Sequence, residues 1–401
     1  MKVMIACQCG TNKGDRAIAE FLITQLQKHG VEVTLSTSRP DLWTQFAGQN
    51  VNVISMGYPY ISKSSQGPFL SRVTGYIQRK VLDKMLLSSL VSQKGNHFLC
   101  NLLSKRFIEA IQSMDMVIVT GGHHITSIRE ENAFFSYTYD IGLISLYAKK
   151  YILWSQTIGP LEFSLDKAKN FFGQVIRKAE KVFIRDENSL NCIKELYGNV
   201  DNLVKTYDSV FGYGSLDFAN VAEREKKVGV SIFDGLKKAF KTYDVIAKAL
   251  DQYASDGYII EFFRMEHNDQ ELNSINQIVS QMKHNDNIII HPFMTSTEAH
   301  LKEVASCQCF IGYKTHSVIM ALTTATPLIA IAYHQKTVDF MNDFGLGDYA
   351  IPDDELDEVK FEKCAFLLKA NLEQIQIQQR KVSRHMSEEL KKILCEMVNN
   401  D

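Results

Sequence analysis

Short apolar runs alternate with longer stretches of helical periodicity along the whole chain. Runs at 2–6, 31–35, 51–56, 116–120, 151–155, 182–184 and 204–207 are rich in Val, Ile and Leu, as strands of a buried parallel sheet are. Between them, 16–29, 132–148, 163–178 and 187–196 place apolar residues at i, i+3 and i+4 and predict helices. The alternation resumes at 227–232, 258–263, 287–291, 309–312 and 328–332, with helices predicted over 242–255, 270–282, 295–306 and 318–322. Helices over 356–371 and 373–398 close the chain. Strands that alternate with helices predict an α/β protein with doubly wound, Rossmann-like parallel sheets. Two series in 401 residues predict two domains, 1–210 and 211–401, with 211–226 as the linker. A final helix of that length could pack back across both.

Loops that leave the carboxyl ends of parallel strands are where such sheets bind ligands. The stretch 310–340 concentrates reactive side chains at two such ends. After the strand ending at Gly312 come Tyr313, Lys314, Thr315 and His316, with Ser317 as the predicted N-cap of the next helix. After 328–332 come Tyr333, His334, Gln335 and Lys336. If the two strands are neighbours, Lys314, His316, His334 and Lys336 lie within about 5–10 Å of one another. Earlier strand ends carry Asn12-x-Gly14-Asp15, Gly121-Gly122-His123-His124, Gln156-Thr157-Ile158-Gly159-Pro160, Arg185-Asp186 and Arg264. Backbone N–H groups at a helix start such as Asn12–Asp15 can hold an anion or a sugar hydroxyl.

A formal charge of −2 and an isoelectric point near 6.6 exclude the clear basic excess of a general nucleic-acid binder. One segment departs from that balance. Between Ser62 and Arg106 eight basic residues face a single acid, Asp83, and 70–91 has apolar residues at helical spacing with cations between them. Such a helix either covers the core with a solvated face or contacts an anionic membrane surface peripherally. No run reaches the roughly 18 apolar residues of a membrane span, and the apolar opening is too short for a signal sequence, so a cytoplasmic protein is expected. Eight cysteines in so long a chain give no disulfide framework. Cys7/Cys9 and Cys307/Cys309 lack the two-residue spacer of zinc knuckles, and no metal site is expected.

Taken in order, Asn12-x-Gly14-Asp15, Gly121-Gly122, Gln156 to Pro160, Arg185-Asp186 with Ser189, Gly312 to His316, Thr326-Pro327, Tyr333 and Lys336 resemble the polysaccharide pyruvyl transferase family from residue 3 to about 349. That resemblance implies a fold like that of B-type glycosyltransferases (GT-B), two domains facing a cleft. It implies a transferase that uses phosphoenolpyruvate as donor, needs no cofactor, and builds a pyruvate ketal on a sugar of a cell-surface polysaccharide or its lipid-linked precursor. His316 would be the general acid, because histidine titrates near neutrality without a shift. Asp15, or His123 or His124, would accept the hydroxyl proton. Arg185, Lys314, Lys336 and Arg264, with Ser317, would hold the donor's carboxylate and phosphate. Asn12, Gly14, Gly122, His123, His124 and Gln156 would line the acceptor side. Where the family usually has Arg-x-His, this chain has Lys314-Thr315-His316, which keeps the charge and loses the planar fork. A nucleotide-sugar glycosyltransferase and a catalytically silent binding subunit of glycan assembly are the alternatives.

Overall fold

The computed structural model describes residues 1–8, 12–47, 49–59, 81–92, 95, 97–126, 133–163, 166–233 and 239–399. They form two compact units, Met1–Gly10 with Leu22–Asp208, and Thr11–Phe21 with Ser209–Asp401. The main break falls between Asp208 and Ser209, and the opening turns of the first helix, Lys13–Lys28, group with the second unit.

The first unit is built on β1 (Lys2–Gln8), β2 (Glu32–Thr37), β3 (Val51–Ser55), β4 (Met116–Val119), β5 (Gly122–Ile125), β6 (Tyr151–Ile158), β7 (Lys181–Ile184) and β8 (Leu203–Lys205), all paired in parallel. The order is β3-β2-β1-β4-β6-β7-β8, with β5 alongside the end of β6. Every residue of β6 is buried, which a strand covered by helices on both faces requires. Its core includes Val117, Val119, Leu153, Phe172, Ile176 and Ile193.

The second unit carries β9 (Glu225–Ser231), β10 (Ile259–Phe263), β11 (Ile288–His291), β12 (Cys307–Gly312), β13 (Leu328–Ala332) and β14 (Ala350–Pro352). All pair in parallel, in the order β11-β10-β9-β12-β13-β14. The winding runs outward from β9 through β10 to β11, then returns beside β9 with β12 and continues the other way. The carboxyl ends of β9 and β12 therefore mark the switch point, the ligand-binding position of open α/β sheets.

The final helix, Leu372–Asn399, is tied to the second unit by polar contacts on its buried side. Ser387 Oγ donates to the Gly212 carbonyl at 2.7 Å, Gln379 Nε2 to Thr326 O at 3.1 Å and Gln376 Nε2 to Ala325 O at 3.2 Å. Among the described residues no helix is long and apolar enough to cross a membrane. The amphipathic stretch expected over 70–91 lies outside the described residues up to position 80; from there on it includes the helix Asp83–Leu90.

Candidate active site at the carboxyl edge of the second sheet

Three loops meet at the switch point. After β10 the chain runs through Arg264, Met265 and Glu266 to Asn268, whose side chain caps the helix Asp269–Gln281 by accepting from Glu271 N at 3.0 Å. After β12, Tyr313 N donates to Ser231 O at the end of β9 (3.0 Å), and the helix Thr315–Thr323 begins. After β13, His334 precedes the helix Gln335–Asp343. Thr315 and Thr337 join the last two loops by a 2.9 Å hydroxyl contact.

The Asn268-x-x-Glu271 spacing is that of a capping box, but Glu271 does not close it. Its carboxylate turns back and accepts from Met265 N (3.0 Å) and Glu266 N (2.9 Å), and it is fully buried. Lys314 Nζ lies 3.2 Å from Glu271 Oε1 and 3.7 Å from Glu266 Oε1. Burial pushes both carboxyls above the ordinary glutamate range, and Lys314 pulls both back down. Lys314 was expected to face an anionic donor. Here it is 6% exposed and shared between two glutamates, so its charge is balanced inside the protein. Ser317 is also placed differently: Lys314 occupies the N-cap position, and Ser317 Oγ donates to the Lys314 carbonyl at 2.7 Å.

The start of the first helix closes on this network. Asn12 forms an antiparallel bridge with Glu266, its Nδ2 donates to Glu266 Oε1 (2.6 Å), and Lys13 N donates to Met265 O (2.9 Å). Asn12 Oδ1 accepts from Gly14 N at 2.8 Å. A Cβ on Gly14 would lie 2.0 Å from Cγ of His316, so only glycine lets the imidazole approach the helix this closely. Asp15, half-buried, contributes a negative field at Glu266. Asn12, Gly14 and Asp15 were expected on the acceptor side of a first domain; they belong to the second unit, beside partly exposed His316.

Three residues of the same helix carry charge that the sequence reading passed over. Lys13 is fully buried with Nζ donating to Met294 O (2.9 Å), and burial lowers its pKa to about 7. Arg16 Nε donates to Glu20 Oε1 (2.7 Å) and Thr295 O (2.5 Å), while Glu20 Oε2 accepts from Thr297 N (2.8 Å). The signal was available, since Arg16 and Glu20 stand at i, i+4 with only apolar residues between them.

Of the remaining cations, Lys336 is half-buried, with Nζ 5.8 Å from the ring centroid of Phe340. Arg264 donates through one terminal nitrogen to Asn268 O, and its Nε is buried with no hydrogen-bond partner among the described residues. Neither Lys314 nor His334 caps its helix through its side chain. The Thr315 backbone is instead hydrogen-bonded to Tyr333, and Ser317 N and Thr337 N donate to the Lys314 and His334 carbonyls at 2.9 Å.

Arg185 lies in the first unit. It is 5% exposed, ion-paired to Asp208, and its Nε donates to Thr157 Oγ1 at 2.9 Å. It was expected to hold the donor; here it is buried in an ion pair at the ends of β6 and β7. Gln156 also faces inward, its Nε2 donating to Thr120 O at 2.6 Å and to Val119 O and Trp154 O at 3.2 Å. His124 is buried against Gly122, which has a φ of 151° and would bring a Cβ within 2.3 Å of the His124 Nε2. His123 is exposed, with Nε2 2.6 Å from Gly159 O.

Two strands of the second sheet and the helix Thr297–Ser306 bring together a trio with metal-ligand spacing that the sequence did not indicate. Ligand atoms of Glu261, His291 and Glu303 lie within 4.8 Å of one another. Lys227 Nζ sits 3.2 Å from Glu261 and His291 Nε2 3.0 Å from it, so a protein ammonium already meets the buried carboxylate.

A fold of two parallel, doubly wound sheets with a polar edge at one switch point is an α/β fold of the GT-B type. The chain is similar over its full length to a glycosyltransferase of Rickettsia africae (12% identity, 100% of this chain and 99% of that one, TM-score 0.58) and to Anabaena HepE, solved with UDP-glucose (11% identity, 100% of both chains, TM-score 0.59). Residues 12–335 match the polysaccharide pyruvyl transferase family, and the chain belongs to it. It is 20% identical over 383 residues to the amylovoran biosynthesis protein AmsJ of Erwinia amylovora, spanning 87% of this chain and 88% of that protein. The protein is therefore a transferase of polysaccharide biosynthesis.

Proposed function

We infer that this transferase takes the pyruvyl group of phosphoenolpyruvate and sets it as a ketal across two hydroxyls of a sugar in a cell-surface polysaccharide or its lipid-linked precursor. The observation that carries the reading is the pair of helix starts at Thr315 and Gln335, bonded through Thr315 and Thr337, with His316 in the first turn of one and Lys336 in the first turn of the other. A donor with both a phosphate and a carboxylate matches two N-terminal dipoles and their N–H groups. Lys336 supports the reading further, because a cation at a helix start opposes the dipole by up to about 1 kcal/mol unless an anion sits nearby. Arg264 supplies a second cation. Lys314 and its two glutamates hold the loop in place without meeting the donor.

His316 delivers a proton to the methylene carbon of phosphoenolpyruvate, and positive charge develops at the second carbon. A sugar hydroxyl attacks there, giving up its proton to Asp15, and the bond from that carbon to the phosphate oxygen breaks. A neighbouring hydroxyl then closes the ketal and loses its proton to solvent. Acceptor and donor together lose one phosphate, and no oxidant or reductant is needed. Asn12 and Gly14, beside His316, are the acceptor-side residues of the reading. The name of AmsJ supports an exopolysaccharide acceptor.

The test is phosphate release from phosphoenolpyruvate in the presence of cell-derived acceptor glycan. His316→Ala should lower it by about 10²–10⁴-fold with an unchanged circular dichroism spectrum. Near-normal turnover by that variant would sink the assignment. Stabilisation by UDP-sugars and not by phosphoenolpyruvate would instead favour a nucleotide-sugar glycosyltransferase, and turnover by the purified chain excludes a silent subunit.

A further inference from the structure

Five of the ten large hydrophobic side chains exposed among the described residues fall within one short stretch of the first unit: Val81 (50%), Met85 (52%), Phe98 (70%), Leu102 (61%) and Leu103 (42%). They belong to two adjoining helices, the N-terminal approach and body of Asp83–Leu90 and the helix Phe98–Leu103. The helices hold each other through their other faces. Leu86, Leu90 and Cys100 are buried, Cys100 Sγ contacts Leu86 O at 3.8 Å, and His97 Nδ1 lies 2.8 Å from Ser89 O. Met85 follows Val81 by four residues and Leu102 follows Phe98 by four, so each pair projects from one side of its helix.

The charge around these side chains has one sign. Among the described residues from 81 to 106 the basic ones are Lys84, Lys105 and Arg106, and the single acid is Asp83. Asp83 is 4% exposed and accepts the Tyr58 hydroxyl at 2.5 Å, so it adds no negative charge to the surface. The first solvent-facing acid is Glu109, paired weakly with Lys105 at 3.8 Å. Leu102, Leu103, Lys105 and Arg106 also line one side of an open cavity of about 650 Å³ beside Phe107. Two exposed apolar residues of the second unit are set differently: Val359 and Phe366 share a helix with Glu358, Lys360, Glu362, Lys363 and Lys369, where both signs are mixed.

We propose that the 81–106 surface docks this protein onto an anionic lipid bilayer. Apolar side chains with an all-cationic rim are what an interfacial helix presents to acidic headgroups: the chains enter the headgroup boundary and the cations meet phosphate. A protein partner with a neutral face would leave Lys84 and Arg106 without a partner charge, and a nucleic acid would leave Phe98 and Leu102 without an apolar medium. The docking would bring the enzyme to the surface where lipid-linked glycans reside. It is independent of which donor the active site takes, and its test does not read turnover.

The probe is sedimentation of the full chain with vesicles of 70% phosphatidylcholine and 30% phosphatidylglycerol, against vesicles of phosphatidylcholine alone. The protein should partition onto the anionic vesicles at least 10-fold more strongly, and 0.5 M salt should weaken it several-fold. The double variant Phe98→Ser/Leu102→Ser should lose at least 10-fold of that partitioning, and Lys105→Gln/Arg106→Gln several-fold, while Val359→Ser/Phe366→Ser partitions as the parent does. All substituted side chains are exposed, and equal melting temperatures check that folding is intact. No preference for anionic vesicles, or equal partitioning by the Phe98/Leu102 variant, overturns the proposal. So does a concentration-dependent dimer in sedimentation velocity that this variant abolishes, which would make the face a contact between two copies of the chain.

Discussion

Replacing Lys314 by methionine keeps the stem of the side chain and removes the ammonium from between Glu271 (3.2 Å) and Glu266 (3.7 Å). Both carboxyls are then left without the cation that offsets their burial. Breaking a buried ion pair by deleting one partner costs about 3–5 kcal/mol when the orphaned charge stays ionised. Burial already holds both carboxyls above their ordinary 4.5, and Lys314 is the largest influence lowering them. A carboxyl raised in the folded state binds its proton more tightly there than in the unfolded chain. Its contribution to stability is therefore present below about 4.5 and declines as pH rises through the folded value. Without Lys314 both carboxyls rise further, so the decline is deeper and extends toward neutrality. At pH 8 Lys314→Met should lower stability by about 3–5 kcal/mol, roughly 6–20 °C in melting temperature for a unit of some 200 residues. At pH 5, where the carboxyls take up protons, the loss should shrink toward about 1 kcal/mol, the worth of one hydrogen bond. Thermal melts of parent and variant at both pH values decide it. A loss equal at pH 5 and pH 8, or below about 1 kcal/mol at pH 8, would refute the buried network.

Gly14→Ala places a methyl 2.0 Å from the His316 ring and should cut turnover by about 10–100-fold through displacement of the imidazole; its lowered melting temperature should recover in Gly14→Ala/His316→Ala, and no recovery would mean that the clash lies elsewhere. Lys13, with its pKa lowered by burial from 10.5 to about 7, releases its proton earlier in the folded than in the unfolded chain, so stability rises from pH 7 toward 10. Lys13→Met should flatten that rise in melts at pH 7, 8 and 9. Asp140 has the opposite sign. Burial raises it from 3.8 to about 7, with the Gly57 amide at 2.9 Å opposing, and stability falls as pH rises across that window. Asp140→Asn should remove the fall and melt above the parent at pH 8; a variant that tracks the parent at every pH would contradict it.

Most of the strands and their parallel character were legible because a strand covered on both faces must be an apolar run, while Gly122–Ile125, Ala350–Pro352 and the strand order were not. Predicted 328–332 is observed as Leu328–Ala332. What sequence conceals is which charge meets which. Arg185 and Lys314 were both expected to hold an anion because the family resemblance implies a phosphoenolpyruvate donor. One instead meets Asp208, 23 residues along the chain, and the other Glu271, 43 residues before it, through the pairing of separate strands. The contact of Gly14 with His316 is hidden for the same reason: 302 residues separate them, and the glycine is explained only by the ring pressed against it. Ser317 shows how local preference yields: serine suits an N-cap, but the helix starts earlier, at Thr315, after a lysine tethered by two carboxylates.

The central claim is that phosphoenolpyruvate lies on the paired helix starts at the carboxyl edge of the second sheet. Amide hydrogen exchange of the full chain, with and without saturating phosphoenolpyruvate, tests it most directly. Slower exchange confined to the first turns after Lys314 and His334, and lost in Lys336→Gln, is the predicted result. Protection elsewhere in the chain, or the same protection produced by a UDP-sugar and not by phosphoenolpyruvate, would contradict it.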